Sequence, residues 1–226
     1  MNETNLLELK KNFQRGIVKY ATANYDEFEN VWTKLVNIHK DRPYHNLSLA
    51  YQDLDTARRL KMYIPEQVIV AAVLRYGSFS VYAEHNATEA ADWSAMFLRH
   101  AFGWPETEIS VVKTLITAGG MLTPPTESCH YYEKLMHDMK KARFAKETEF
   151  FLKDRQKIRI EFKNLDDYRY FCSEQALLMN YYHSPTTFVL PPFQIMTGQV
   201  KDNIYHRLTW VTETLKKHFQ EARKKS

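Results

Sequence analysis

The chain has 226 residues, a formal net charge of +4, 44% hydrophobic residues and 26% charged residues. This composition supports a sizeable buried core and excludes an intrinsically disordered chain. Gly (6) and Pro (8) are scarce, which argues against a sandwich of many short strands. The longest apolar run, 68–74, is far shorter than the roughly 20 residues that span a bilayer, so we expect no membrane contact.

Cysteine usage and the first residues bear on the compartment. Cys129 and Cys172 lie far apart in the sequence, with no metal-like spacing, which is typical of a reducing compartment without a disulfide framework. The first fourteen residues contain no apolar stretch of the kind found in a signal peptide. We therefore predict a cytoplasmic protein.

Three helices are predicted in the first third of the chain. The first has Asp26 as its N-cap and ends before Arg42-Pro43. The second begins near Tyr44, and its apolar stripe is formed by Leu47, Ala50, Tyr51, Leu54 and Ala57. The third begins at Pro65 and is apolar on all sides, which predicts a central, fully buried helix.

The middle of the chain predicts two more helices after a loop over 77–85. One presents its apolar side chains to the core and ends at Trp104-Pro105; these side chains are Trp93, Met96, Phe97 and Ala101. The next runs over 106–118 and stops at Gly119-Gly120. A loop over 123–128 follows.

Helices are then predicted over 131–144, 146–161, 165–180 and 204–222. Three prolines within 182–197 favour an extended connection there. With no long linker and no repeat, the sequence predicts one all-α domain over 1–226, a compact multi-helix bundle with its core at about 26–215 and basic helical ends.

Familiar catalytic and metal-binding motifs are absent from the sequence. Nine histidines occur, but none forms HExxH, and there is no CxxC, GxGxxG, Walker loop or GxSxG. Motifs alone therefore indicate no active site.

Two short segments resemble a known family. The segment Arg42-Pro43-Tyr44-His45-Asn46-Leu47 resembles the opening RxYHNL of predicted metal-dependent HD-superfamily phosphohydrolases of bacteria, and Ile158-Arg159-Ile160-Glu161-Phe162 resembles their IRxEY. The helix order and spacing between the two segments run in step with that family. The resemblance covers 26–215 and implies an all-α, HD-domain-like bundle.

The resemblance also implies that the metal site has been lost. That family holds a divalent ion with an early His, an adjacent His-Asp pair and a late Asp. The early His corresponds to His45 and the late Asp to Asp138, but the His-Asp pair falls on Arg75 and Tyr76. Two further histidines of that family correspond to Leu49 and to a position within 118–122, and neither position is a histidine in this chain. Because a guanidinium remains protonated and has no acceptor, Arg75 cannot ligate a metal. We expect no bound metal or cofactor.

Two interpretations of Arg75 remain open. It could replace the ion as the positive charge of the pocket and bind a phosphate or carboxylate. Alternatively, it forms a salt bridge with Asp138 that fills the vacated site, which is the usual role of an arginine beside a buried carboxylate. We expect Arg159 and Glu161 to anchor helices through an ion pair.

Three hypotheses about function follow. The first is a non-catalytic binding or regulatory protein, whose partner is a protein or an anionic ligand such as a nucleotide. The second is a divergent phosphohydrolase or nucleotide-binding enzyme, which acts on a phosphorylated or nucleotide substrate with Arg75, His45 and Tyr76 and without the usual metal. The third is a nucleic-acid-binding protein that uses basic residues near the chain end, although such residues also occur on a solvated helix terminus; they are Lys216, Lys217, Arg223, Lys224 and Lys225.

Overall fold

The computed structural model describes residues 1–22, 27–80, 86–120, 124–126 and 128–224, without the side chain of Lys224. Within these ranges the chain is all-helical, as predicted. The first six helices are α1 (Glu3–Tyr20), α2 (Glu27–His39), α3 (Leu47–Arg59), α4 (Glu66–Leu74), α5 (Asn86–Phe102) and α6 (Glu106–Gly120). The others are α7 (Tyr131–Ala142), α8 (Thr148–Glu161), α9 (Asp167–His183), α10 (Pro191–Gln194) and α11 (Thr197–Lys224).

Helix α4 is the centre of the bundle, and its prediction as a buried helix is confirmed. All of its residues from Gln67 to Leu74 are buried. It is surrounded by α1, α3, α6 and α7. Since a helix that is apolar on all sides finds no water-facing surface, enclosure by neighbours on every side is its stable position. Arg75 and Tyr76 follow its last turn, and the side chain of Arg75 is buried as well.

Helix α1 adds to the core on the N-terminal side of the predicted core start. It buries Leu9, Phe13 and Ile17 against α3 and α4. These residues are four apart, a spacing that places them on one face of a helix, so the sequence already contained the pattern of an amphipathic helix here. The buried apolar residues form one cluster that extends from Leu9 to Val211.

Two predictions about individual elements need correction, and a third is not tested. Met96 on α5 is exposed, and α5 instead packs with small residues and Leu98. The segment predicted as an extended connection contains α10, preceded by the end of α9 and followed at once by α11. The predicted N-cap Asp26 lies outside the described residues, as do parts of both predicted loops.

Gly77 closes the turn after α4. Its N–H donates to the carbonyl of Leu74 at 2.8 Å, and the ring of Trp93 on α5 lies against it. A Cβ at this position would lie 2.1 Å from Cζ3 of Trp93. Only a glycine allows α5 to approach the end of α4 this closely.

Candidate functional site

The centre of the candidate site is a buried carboxylate shared by two arginines. Oδ1 of Asp53, on α3, accepts from Nε of Arg143 at 2.7 Å. Its Oδ2 accepts from Nη2 of Arg143 at 2.5 Å and from Nη2 of Arg75 at 2.8 Å. The side chain of Asp53 is fully buried, and the two arginine side chains are 4% and 7% exposed. With Tyr76, these residues form what we call the Asp53 cluster.

The protonation of the Asp53 cluster follows from its hydrogen bonds. Burial raises the pKa of Asp53 above its usual value, and the positive charge of Arg143 opposes that increase. Both carboxylate oxygens accept N–H groups from guanidinium ions, an arrangement that suits the ionised form. The cluster therefore holds two cations and one anion in the interior.

Arg75 has donors that Asp53 does not use. Its Nε and Nη1 are buried, and neither has a hydrogen-bond partner among the described residues. Buried guanidinium donors are normally satisfied, because an unpaired buried donor costs free energy. Arg75 is thus the least satisfied member of the cluster.

Tyr76 links the Asp53 cluster to its surroundings. Its hydroxyl accepts from Nη1 of Arg143 at 2.9 Å, and its ring centroid lies 4.8 Å from Cζ of Arg75. Its carbonyl accepts from Arg42. Burial raises the pKa of the phenol well above its usual value, so the hydroxyl remains protonated and does not act as a general base at neutral pH.

His45 pairs with Glu161 at the entrance to α3. Its Nδ1 lies 2.5 Å from Oε2 of Glu161, and Oε1 of Glu161 accepts the backbone N–H groups of Tyr44 and His45, both at 2.8 Å. Burial lowers the pKa of His45, and Glu161 opposes this effect. At neutral pH the neutral imidazole therefore donates its Nδ1–H to the carboxylate, so this nitrogen is occupied by an internal contact.

The aromatic surroundings of His45 bring it close to Tyr76. Its ring stacks on Phe79, with centroids 4.2 Å apart, and meets the Tyr76 ring edge-on at 5.0 Å. The structure therefore brings together three of the four predicted pocket residues: His45, Tyr76 and Arg75.

Asp138 is the fourth, and its predicted salt bridge with Arg75 is wrong. Its carboxylate accepts the backbone N–H of Val189 at 3.0 and 3.1 Å and that of Leu190 at 2.6 Å. Leu190 is the N-cap residue of α10, so Asp138 fixes the start of that short helix. Burial raises the pKa of Asp138 to about 6, and these backbone donors oppose the increase. Arg75 pairs with Asp53 instead.

The predicted ion pair between Arg159 and Glu161 is also wrong. Arg159 donates to Asp167 at 2.6 and 3.0 Å and to the carbonyl of Phe162 at 2.8 Å. These contacts join the end of α8 to the start of α9. Glu161 lies two residues away on the helix, where side chains point in different directions, and contacts His45 instead.

Asp53 and Arg143, the central pair of the cluster, were missed in the sequence. A signal for Asp53 was present: it lies on the same helical face as Ala50, Leu54 and Ala57. A carboxylate within an apolar stripe requires a cationic partner when it is buried. Arg143 is 90 residues away in sequence, and no local spacing pointed to it.

Lys140 is a further cation near the cluster. It precedes Arg143 by three residues, so the two share a face of α7 and the 3-10 turn (Arg143–Ala145) that follows. The side chain is partly buried. Desolvation lowers its pKa to about 8, and attraction to Asp53 opposes the decrease.

The basic residues near the chain end lie on the last turns of α11. Lys216, Lys217 and Arg223 are exposed, and the guanidinium of Arg223 lies 4.5 Å from the ring centroid of Phe219. The side chain of Lys224 and all of Lys225 lie outside the described residues.

The residues present do not fit a divalent metal. In the described part of the chain, no three His, Cys, Asp or Glu side chains come together as a possible metal site. His45 and Asp138 are engaged in separate contacts, and the guanidinium of Arg75 would repel the ion. No described helix has the length and apolar character needed to cross a membrane.

Comparison of the chain with family models, curated proteins and solved structures found no match. The resemblance to HD-superfamily phosphohydrolases therefore stays a prediction.

Proposed function

We propose that this protein acts by binding rather than by catalysis, on an HD-domain-like frame whose metal site has been lost. One observation carries the proposal: the side chains at the inferred ligand positions are engaged in internal contacts. His45 binds Glu161, Arg75 binds Asp53, and Asp138 binds the backbone at the start of α10.

Hydrolysis assisted by a metal needs ligands that converge on one point with an open position for water. In the Asp53 cluster, the donors Arg75 and Arg143 surround a single carboxylate, and the nearby phenol of Tyr76 is held protonated. This arrangement offers hydrogen-bond donors and positive charge, which suit recognition of an anion. An anionic ligand is therefore favoured over an uncharged one.

The proposal places the protein in a reducing compartment, the cytoplasm. Cys129 and Cys172 are both free thiols, neither is fully buried, and free, partly exposed thiols persist where glutathione and thioredoxin keep them reduced. Labelling with a thiol reagent in intact cells, before and after mild oxidation, tests this placement; full labelling before oxidation is expected.

A metal and activity assay tests the loss of catalysis. The purified protein is expected to contain no stoichiometric divalent metal and to show no turnover of a generic phosphodiester or of nucleoside phosphates with added Mn²⁺. Turnover that His45→Ala abolishes would refute the proposal and favour a divergent enzyme. Arg159→Lys serves as a matched control, because Arg159 lies on the other resemblance segment and makes its hydrogen bonds at the α8–α9 junction, away from His45.

Nucleic-acid binding is a second candidate, favoured by the exposed basic end of α11. Lys216, Lys217 and Arg223 lie on exposed turns that follow the packed part of the helix. Binding through phosphate contacts weakens steeply with salt. A mobility-shift assay across a salt series, with Lys216→Gln/Lys217→Gln as the test variant, is expected to show a loss of affinity if this surface binds. No shift at low salt removes the candidate.

A further inference from the structure

A cavity lies between α6 and the start of α7, and we call it the α6–α7 cavity. Its volume is about 280 Å³, which is close to the lower end of the range for ligand pockets, so it suits a small molecule. Its lining includes Ser110, Val111, Thr114 and Leu115 of α6 and Tyr132 and Glu133 of α7. None of these residues belongs to the Asp53 cluster: Glu133 and Arg143 are ten residues apart, about 15 Å along the helix axis.

The inner wall of the cavity is apolar and aromatic. Leu115 is buried, and Val111 and Tyr132 are partly buried. The rings of Tyr132 and His130 meet edge to face, with centroids 4.4 Å apart, and this contact restricts the orientation of the Tyr132 ring. A wall of this kind favours a ligand with an apolar or aromatic body, because removal of apolar surface from water drives binding.

Two hydroxyl groups of α6 are available at the cavity. The hydroxyl of a helical Ser or Thr commonly donates to the carbonyl four residues earlier, as that of Thr117 does to Lys113 at 3.0 Å. Ser110 and Thr114 make no such hydrogen bond within the described part of the chain. Both line the cavity, so their hydroxyl oxygens are free to accept from a bound donor.

Glu133 supplies a negative charge at the cavity. Its Oε1 accepts the backbone N–H of His130 at 3.3 Å, within the capping box of α7. No cation among the described residues forms a salt bridge with its carboxylate. The residue is only partly buried, so water solvates the carboxylate in the free protein, and a cationic ligand can replace that water.

The two cations of an adjoining cleft have other partners. This cleft, of about 520 Å³, shares Glu133 and both hydroxyl-bearing residues with the cavity and is also lined by Arg99 and Lys113. Arg99 donates to both carboxylate oxygens of Glu106, at 2.5 and 2.7 Å. Lys113 pairs with Asp92 at 2.8 Å. The charge of Glu133 is therefore left for a ligand.

We propose that the α6–α7 cavity binds a small organic ammonium ion with an apolar or aromatic body. The ammonium group donates to the carboxylate of Glu133 and to the hydroxyl oxygens of Ser110 and Thr114, while the body packs against the apolar wall. The inference goes beyond the proposed function, because it assigns a second site to a ligand of the opposite charge.

Titration of the nitrogen-15-labelled full chain with 2-phenylethylammonium chloride at pH 7, followed by NMR of the backbone N–H groups, tests the inference. Saturable shifts that fit one ligand per chain are expected within 109–115 and 130–133. Two related compounds serve as controls: 2-phenylethanol has no charge, and methylammonium has no aromatic body. Each should bind at least about tenfold more weakly. Absence of saturable shifts in these segments, or equal affinity for 2-phenylethanol, overturns the inference.

Glu133→Gln tests the role of the charge. The amide oxygen of glutamine still accepts the N–H of His130, so the capping box and the fold are expected to remain. The affinity for 2-phenylethylammonium should fall at least about tenfold, whereas the affinity for 2-phenylethanol should not change. Glu213→Gln, which removes an exposed carboxylate of α11, is the matched control and should leave both affinities unchanged. Wild-type affinity for the ammonium ion in Glu133→Gln, or an equal fall for 2-phenylethanol, contradicts the proposal.

Thr114→Phe tests the location. Thr114 is exposed and lines the cavity, so a larger side chain there is expected to obstruct the cavity without disturbing the core. Binding of 2-phenylethylammonium should weaken at least about tenfold. Thr209→Phe, at an exposed position on α11, is the matched control. Unchanged affinity in Thr114→Phe means that the ammonium ion binds elsewhere and refutes the inference. Turnover of a phosphate ester, by contrast, contradicts the proposed function alone.

Discussion

Replacing Asp53 with asparagine tests how much the buried carboxylate contributes to the stability of the folded protein. The variant keeps the shape of the side chain but removes the carboxylate charge that pairs with Arg75 and Arg143 at hydrogen-bond distance. Three charge-assisted hydrogen bonds are affected, and they share one carboxylate, so their losses do not add. Breaking a buried ion pair by removal of one partner costs about 3–5 kcal/mol, and we expect the free energy of unfolding to fall by about that amount.

Urea unfolding followed by far-UV circular dichroism measures the change. The slope of the free energy of unfolding against urea concentration should remain the same, because the surface exposed on unfolding is unchanged. Asp92→Asn is the control: Asp92 pairs with Lys113 at 2.8 Å, but the side chains of Lys113 and Asp92 are 44% and 62% exposed, so loss of this pair should cost less than about 1 kcal/mol. A loss below about 1 kcal/mol in Asp53→Asn as well would refute the view that this carboxylate neutralises the buried arginines.

Further predictions concern pH, packing and metal. Burial lowers the pKa of His39 to about 4, whereas the pKa of an unfolded histidine is about 6.5. Because the unfolded state binds more protons between these two values, the free energy of unfolding falls by up to about 3 kcal/mol as the pH is lowered through this window. His39→Phe should reduce this fall when unfolding is measured from pH 7 to pH 4, and an unchanged pH profile would contradict the prediction. Gly77→Ala forces Trp93 to shift and should destabilise the protein by about 1–3 kcal/mol, with altered tryptophan fluorescence. The control variant Gly198→Ala should be neutral or slightly stabilising. A larger loss of stability in Gly198→Ala than in Gly77→Ala would contradict the close approach of α5 to the end of α4. Addition of Mn²⁺ or EDTA should leave the thermal midpoint unchanged, because no metal-binding group of side chains was found in the described residues, and a rise with Mn²⁺ that EDTA reverses would contradict this expectation.

The contrast between Asp138 and Asp53 explains why the site was only partly predicted. The resemblance predicts Asp138 in the pocket from its position in a motif, whereas in the structure its carboxylate binds the backbone at the start of α10. Asp53 belongs to no motif, so the resemblance gives it no role, although it lies in the apolar stripe of α3. A motif match predicts which position a residue corresponds to, but not which side chain it contacts. A buried carboxylate pairs with the cation that the fold places within hydrogen-bond distance.

Local patterns in the sequence are enough to predict the helical character of the chain, the buried position of α4, and a guanidinium and a phenol after its last turn. These features are consequences of local periodicity and residue chemistry, which act over a few residues. Tertiary packing, by contrast, selects Asp53 as the partner of Arg75, brings Arg143 to them from 90 residues away, and places His45 against Glu161. Such contacts depend on how helices pack, because a buried charge pairs with a partner that is near in space, whatever its distance along the chain.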